Sequence, residues 1–280
     1  MPARDASACR IHLGLHKTAT THLQAALGRA EPALRAAGIA YLGPQAIRAG
    51  GTGIREALEG AAAPGRARRR LARHAHGSRL LLISEENIPG TMEDNFLGPR
   101  PGPYPEAAER LSRLLAELGL TQVQLFLALR HPADYYASCY RFHLRQHPFL
   151  PWRDYARQLP LRRLRWLPLC RALGSVPGVA GLTVWRYEDF PSVGPALLRA
   201  LLGPGHPPVD LSGQANGGPG GSEIRARYAA AGCRPDFRGP GFRPFGRLAR
   251  LRAGAAYARD TAAIAALPAT VLLRPGVHGT

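Results

Sequence analysis

The chain has 280 residues, with 37 Lys or Arg against 19 Asp or Glu, a formal charge of +18 and a pI near 11.1. Hydrophobic content of 45% excludes wholesale disorder, and no apolar run reaches the roughly 18–20 residues of a membrane span. Met1-Pro2-Ala3-Arg4-Asp5 carries no secretory h-region and the four cysteines form no Cys-x-x-Cys pair, so the expectation is a cytoplasmic, reducing setting without a metal site or disulfide framework.

Short apolar runs alternate with longer helical patterns, the signature of βαβ units around a parallel sheet. Arg10–Gly14 is the first predicted strand, followed by a helix through Leu23, Ala26 and Leu27. Pro32 suits the first turn of a second short helix, Gly38 ends it, and Ile39–Leu42 is extended. Residues 44–65, rich in Gly and Ala, read as loop with at most one helical turn. A basic helix over Arg66–His76 and a buried strand over Arg79–Ser84 come next.

Leu111, Leu114, Leu115 and Leu118 give Pro105–Leu118 a helical period, and Gln122–Leu129 is the strongest strand. A helix through Tyr135, Tyr136 and Tyr140 follows, then a mainly helical Trp152–Leu173, a strand at Leu182–Arg186 and a helix at Val193–Leu202. Gly213–Gly221 is a glycine-rich loop, Ser222 is a candidate N-cap, residues 232–246 read as irregular, and a last helix covers much of 247–266. The expectation is one α/β domain over 1–280: a core over 10–200 and a basic C-terminal section over 201–280.

The basic residues are 36 Arg and one Lys, a bias that suits a GC-rich coding sequence choosing Arg wherever a generic cation will do. The one lysine, Lys17, lies in Gly14-Leu15-His16-Lys17-Thr18-Ala19-Thr20-Thr21, between the first strand and its helix. Such a turn aims backbone N–H groups and a positive helix end at an anion, with hydroxyls as further donors. The plainer reading has the threonines capping a helix beside a solvated charge. Walker A spacing is missing.

A second candidate anion element is Arg130-His131-Pro132 after the strongest strand, with Ser138 eight residues beyond Arg130. Alone, Arg130 is as well read as a structural ion-pair partner. The acidic concentration Glu85-Glu86, with Glu93 and Asp94 near, follows the strand ending at Ser84. It offers a general base, or a helix N-terminus capped by Ser84. His16 is a rival base, and His12 reads as a packed core histidine.

Gly14 to Gln24 resembles the Gly-x-x-Lys-Thr-Gly-Thr-Thr-x-Leu-Gln element of bacterial sulfotransferases, with Ala19 where the family usually has Gly. Arg130 with Ser138, Tyr41 after Gly38, Ser84-Glu85-Glu86-Asn87 and Arg186-Tyr187-Glu188-Asp189-Phe190 extend the resemblance over most of residues 10–200. It implies a P-loop-like fold of three layers, a mostly parallel sheet with helices on both faces. It also implies 3′-phosphoadenosine 5′-phosphosulfate (PAPS) as sulfuryl donor. Lys17, Thr18, Ala19, Thr20 and Thr21 would then surround the 5′-phosphosulfate, Arg130 and Ser138 would hold the 3′-phosphate, and Glu86, with His16 as rival, would serve a hydroxyl acceptor.

Residues 1–140 hold 17 basic and 12 acidic side chains and residues 141–280 hold 20 and 7, so an anionic partner is expected near the second half. Arg66–Arg73 and the stretch 225–252, with eight Arg and one acidic residue, are solvated faces or an acceptor site for an anionic glycan or lipid head group. Aromatics are not interleaved as single-stranded nucleic acid would require, so nucleic acid is not the expected partner. The rival readings are a polyanion-binding protein, a catalytically degenerate relative of the family, and a nucleotide kinase, which would need a Walker loop and Mg²⁺ carboxylates.

Overall fold

A computed structural model describes residues 8–60, 63, 65–92, 103–157, 159, 164–213 and 218–276. Strand β1 (Ala8–Gly14) leads through α1 (Thr20–Arg29) and α2 (Glu31–Ala36) to β2 (Ile39–Leu42). Helices α3 (Pro44–Arg48), α4 (Ile54–Glu59) and α5 (Arg66–Ala75) precede β3 (Leu80–Ser84), and α6 (Ala107–Leu118) precedes β4 (Val123–Leu129). Then α7 (Pro132–Gln146), α8 (Trp152–Arg157) and α9 (Leu167–Gly174) lead to β5 (Val179–Arg186). Finally α10 (Phe190–Leu202), α11 (Gly221–Ala230) and α12 (Arg247–Ala265) precede β6 (Thr270–Leu273).

The six strands form one sheet in the order β2-β3-β1-β4-β5-β6, with every neighbouring pair parallel. Because side chains alternate across a strand, neighbouring residues feed opposite faces. Leu81, Ile83, Leu125 and Leu127 pack into the larger core, beneath α4 to α7, α9 and α12. Leu80, Leu82, Phe126 and Trp185 pack into the smaller core with Leu23 and Leu27 of α1 and Leu197 and Leu201 of α10. Burial on both faces explains why the strands read as continuous apolar runs. The expected three-layer α/β architecture is therefore present, and the sheet is parallel throughout.

Strand order decides where a site can form. The chain adds β2 and β3 on one side of β1, then crosses to place β4 on the other. The carboxyl ends of β3, β1 and β4 thus converge at the point where the winding reverses, where open α/β sheets bind ligands.

Several expectations need correction. Residues 44–65 contain two short helices, α3 started by Pro44 at its first turn and α4 behind Gly53. The stretch Trp152–Leu173 is mainly helical as expected, in two helices, α8 and α9, the second beginning with Pro168 in its first turn. Ser222 lies inside the first turn of α11, and Gly220 occupies the cap position. Strand β6 was invisible as a pattern because Thr270–Leu273 is a half-exposed edge of four residues. Ser84 does not cap a helix; a turn follows, and its hydroxyl pairs with Nδ1 of buried His12 at 2.8 Å. Glu93, Asp94 and residues 214–217 of the expected glycine-rich loop lie outside the described residues. Among the described residues no helix is long and apolar enough to cross a membrane.

Candidate functional site

Three adjacent strand ends bring the predicted residues to one cleft of about 630 Å³. It is lined by His16, Lys17, Ala19, Thr20 and Thr21 after β1, by Glu86 after β3, and by Arg130 and Ser138 after β4. Thr18 is fully packed and does not line it.

The loop after β1 is built by its own hydroxyls. Thr18 Oγ1 and Thr20 Oγ1 both donate to the Leu15 carbonyl, at 2.6 and 2.8 Å. These two hydroxyl protons are used to close the loop on itself; Thr20 also lines the cleft, and Thr21, at the exposed start of α1, makes no such bond. Lys17 and Ala19 both sit in the left-handed region, with φ of 65° and 63°. Gly14, at φ 86°, is required twice over: a Cβ there would meet Thr20 Oγ1 at 2.7 Å and Glu86 Cβ at 3.2 Å.

Lys17 Nζ stands 5.1 Å from the centroid of the Phe142 ring, and no ion pair joins it to a carboxylate among the described residues. Burial lowers its pKa, and the charges of Arg130, Arg145 and Arg141 add to this. Arg130 donates to the Lys17 carbonyl and lies over Tyr187 at 4.2 Å, while its own carbonyl accepts from Trp166 Nε1 at 2.9 Å. Its buried Nε has no hydrogen-bond partner. A buried guanidinium N–H without a partner and an ammonium without a counter-charge, on two residues that line one cleft, are both costly, and an anion held there would offset the charge.

The acidic side is equally constructed. Glu86 accepts from Gln24 Nε2 at 2.7 Å and from Arg48 at 2.8 Å, and Arg48 also reaches buried Glu85 at 3.0 Å. Burial alone would raise the Glu86 pKa, but the bonds from Gln24 and Arg48 outweigh it and hold the carboxyl below the usual range. Arg110 fastens the turn itself by donating to the carbonyls of Asn87 and Ile88.

His16 is fixed in one tautomer by its neighbours. Asn87 Nδ2 donates to Glu85 Oε1 at 2.7 Å, which turns Asn87 Oδ1 towards His16 Nε2 at 3.2 Å. Burial lowers the His16 pKa, so at neutral pH the ring is uncharged, with its proton on Nε2 and the lone pair of Nδ1 facing the Tyr104 hydroxyl at 2.9 Å. Neither nitrogen therefore offers a free lone pair to the cleft.

Arg48, Gln24, Tyr104, Arg141 and Arg145 were not singled out by their sequence context. Gln24 alone had a signal, as the last residue of the resemblance around Lys17. The others become legible only when separate elements meet.

A larger hollow of about 1040 Å³ adjoins the cleft and shares Ala19 and Tyr187 with it. Its walls are mainly apolar, including Phe190, Leu198, Val209 and Leu211, so it suits an uncharged moiety and not the charged chemistry. Three of the eight arginines in 225–252 are tied into the fold: Arg250 forms a two-bond pair with Asp134, Arg227 reaches Glu223 and the Leu144 carbonyl, and Arg225 reaches the Gly239 carbonyl.

No family model matches the chain, and no curated protein matches it in sequence. Among solved structures it is similar to the crystal structure of a sulfotransferase from Alicyclobacillus acidocaldarius, at 19% identity over 81% of this chain and 91% of that chain, with a TM-score of 0.44.

Proposed function

We propose that the cleft binds PAPS and that the protein transfers its sulfuryl group to the hydroxyl of an acceptor. The observation that carries this reading is the convergence of unpaired cations, Lys17 and Arg130, with one carboxylate, Glu86, at the strand ends β1, β4 and β3. The residues present fit a donor phosphorylated at two places. Backbone N–H groups of residues 17–21 at the start of α1 face one phosphate, and Arg130 with Ser138, two helical turns apart from strand end to α7, face another. The apolar hollow beyond Ala19 and Tyr187 has room for the nucleoside.

The donor would supply an activated sulfuryl group whose bond to phosphate oxygen breaks as the acceptor oxygen bonds to sulfur. Lys17 neutralises the charge that develops on that bridging oxygen. Glu86 takes the acceptor proton, and its two anchored oxygens keep it ionised and oriented. His16, without a free lone pair, holds the turn and offers its Nε2 proton.

Calorimetric titration tests the reading. Adenosine 3′,5′-bisphosphate should bind at least tenfold more tightly than AMP or ATP. Equal affinity for the three, or no binding, would overturn it, and preference for ATP with Mg²⁺ would favour a kinase.

A further inference from the structure

Two cations in the cleft have no role in the sulfuryl-transfer reading, and the role assigned to them rests on that reading. Arg141 and Arg145 line the cleft from α7, and neither has an acidic partner among the described residues. Arg141 carries a buried Nε with no hydrogen-bond partner, and burial lowers its pKa, with the charge of Arg130 adding to the effect. Arg48, the other cation of the cleft, is already neutralised by Glu85 and Glu86.

Their position along the helix separates them from the donor residues. Ser138, Arg141 and Arg145 follow at spacings of three and four, so they share one face of α7. At about 1.5 Å per residue, Arg141 lies roughly 4.5 Å and Arg145 roughly 10.5 Å beyond Ser138, moving away from the end of β4. Phe142, under the Lys17 ammonium, is on this same stretch. Lys17 marks where the bond to the leaving phosphate breaks, and in-line displacement requires the acceptor on the side away from the nucleotide. The arginines therefore stand along the acceptor's approach, on the wall formed by α7, while Glu86 stands on the wall that follows β3.

We infer that Arg141 and Arg145 form an anion subsite for the acceptor, and that the acceptor class is a hydroxyl compound carrying a carboxylate, sulfate or phosphate near the hydroxyl that is sulfated. Arg141 lies over the Phe242 ring at 5.8 Å, and the charges of Arg141 and Arg145 both act on Lys17, so a neutral acceptor would leave this group of cations without a counter-charge.

The test uses the full chain saturated with adenosine 3′,5′-bisphosphate and two probes that differ by one carboxylate, 4-nitrophenyl β-D-glucuronide and 4-nitrophenyl β-D-glucoside. Calorimetry should show the glucuronide binding about tenfold more tightly at low salt. In the double variant Arg141→Gln, Arg145→Gln that preference should fall to within twofold, while bisphosphate affinity changes by less than threefold and the thermal midpoint stays within two degrees. Equal binding of both probes, or no binding of either, overturns the inference. So does a double variant that loses tenfold or more in bisphosphate affinity while keeping the probe preference, because the arginines then belong to the donor. Single variants repeat the comparison if the double variant unfolds. Failure of the wild type to bind the bisphosphate is a different result, and it removes the donor reading itself.

Discussion

Arg130 donates a hydrogen bond to the main-chain carbonyl of Lys17, joining the end of β4 to the loop after β1 across 113 positions of sequence. One guanidinium thereby shapes the loop that carries the lysine and lines the cleft beside it, while its Nε is buried without a hydrogen-bond partner. Arg130→Lys retains the charge but loses the planar fork. Hydrogen bonds to charged groups are worth about 1.5–3 kcal/mol, so affinity for adenosine 3′,5′-bisphosphate should fall roughly ten- to a hundredfold. AMP, without the 3′-phosphate, should lose much less. Calorimetry with both ligands checks this, and an equal loss would place Arg130 in loop support alone.

Ala19 holds a left-handed conformation at φ 63° and ψ 20° immediately before α1. An L-residue there carries about 1–2 kcal/mol of strain. Replacing it by Gly removes the strain but returns about 0.4–1 kcal/mol to the unfolded chain. Ala19→Gly should therefore lie between neutral and about 1.5 kcal/mol more stable in urea unfolding. It should also bind the bisphosphate at least as well as the wild type. A clear loss of stability would show that the methyl group packs usefully.

Lys17 is half-buried against Phe142 and has no carboxylate partner among the described residues. A compact ammonium can follow a leaving oxygen in a way that a wide guanidinium cannot. Lys17→Arg should lower kcat on the order of 10²–10³-fold, the usual loss when one transition-state donor is removed. Bisphosphate affinity should change little. Near-normal turnover in this variant would mean that any positive charge suffices.

Glu86 is held below its ordinary value of 4.5, so it is ionised across the neutral range. A group lowered in this way is lost as a base, and as a source of stability, only when the pH falls through that lowered value. The acid limb of kcat/KM should accordingly lie below pH 4.5, measured on any acceptor found with labelled PAPS. Arg48→Ala removes one of the anchoring donors and should move the limb upward. Glu86→Gln should abolish transfer while leaving bisphosphate affinity intact. If His16→Ala produces that phenotype instead, the base is assigned wrongly.

His12 is fully enclosed, stacked on Trp185 and bonded to Ser84, and burial pushes its pKa down to about 4. The unfolded chain takes up this proton near pH 6.5 and the folded chain only near 4. Stability should therefore decline as the pH falls through that window and level off below it. Urea unfolding at pH 7.5 and pH 5 should show a smaller drop for His12→Gln than for the wild type, even though the variant starts less stable. Equal drops would assign the loss to other groups.

Some of this was written locally in the chain. Arg10–Gly14, Arg79–Ser84 and Gln122–Leu129 are apolar enough to be strands wherever they fall, and alternation with helices makes a parallel sheet the natural arrangement. Lys17 stood out because it is the single lysine among 37 basic residues, and Arg130 because it ends the strongest strand. The strand signals depend on neighbours within a turn or two, the range over which backbone geometry transmits information, and the lysine signal on the composition of the whole chain; neither needs a tertiary contact.

Only the tertiary structure decided which of these residues share a cleft and what state they are in. The return of β4 to the side of β1 opposite β3 places Glu86, Lys17 and Arg130 at adjacent strand ends. Arg48 meets Glu85 and Glu86, Gln24 meets Glu86, and Tyr104 meets His16 across separations of 37 to 88 residues. Such pairings leave no mark in local sequence, because they follow from how helices are laid over the sheet. They decide that Glu86 stays ionised, that His16 has no free lone pair, and that Arg141 and Arg145 keep their charge unspent. The sequence by itself determined the strands, the loop and the unusual lysine; long-range packing determined the charge state and partners of each group that faces the cleft.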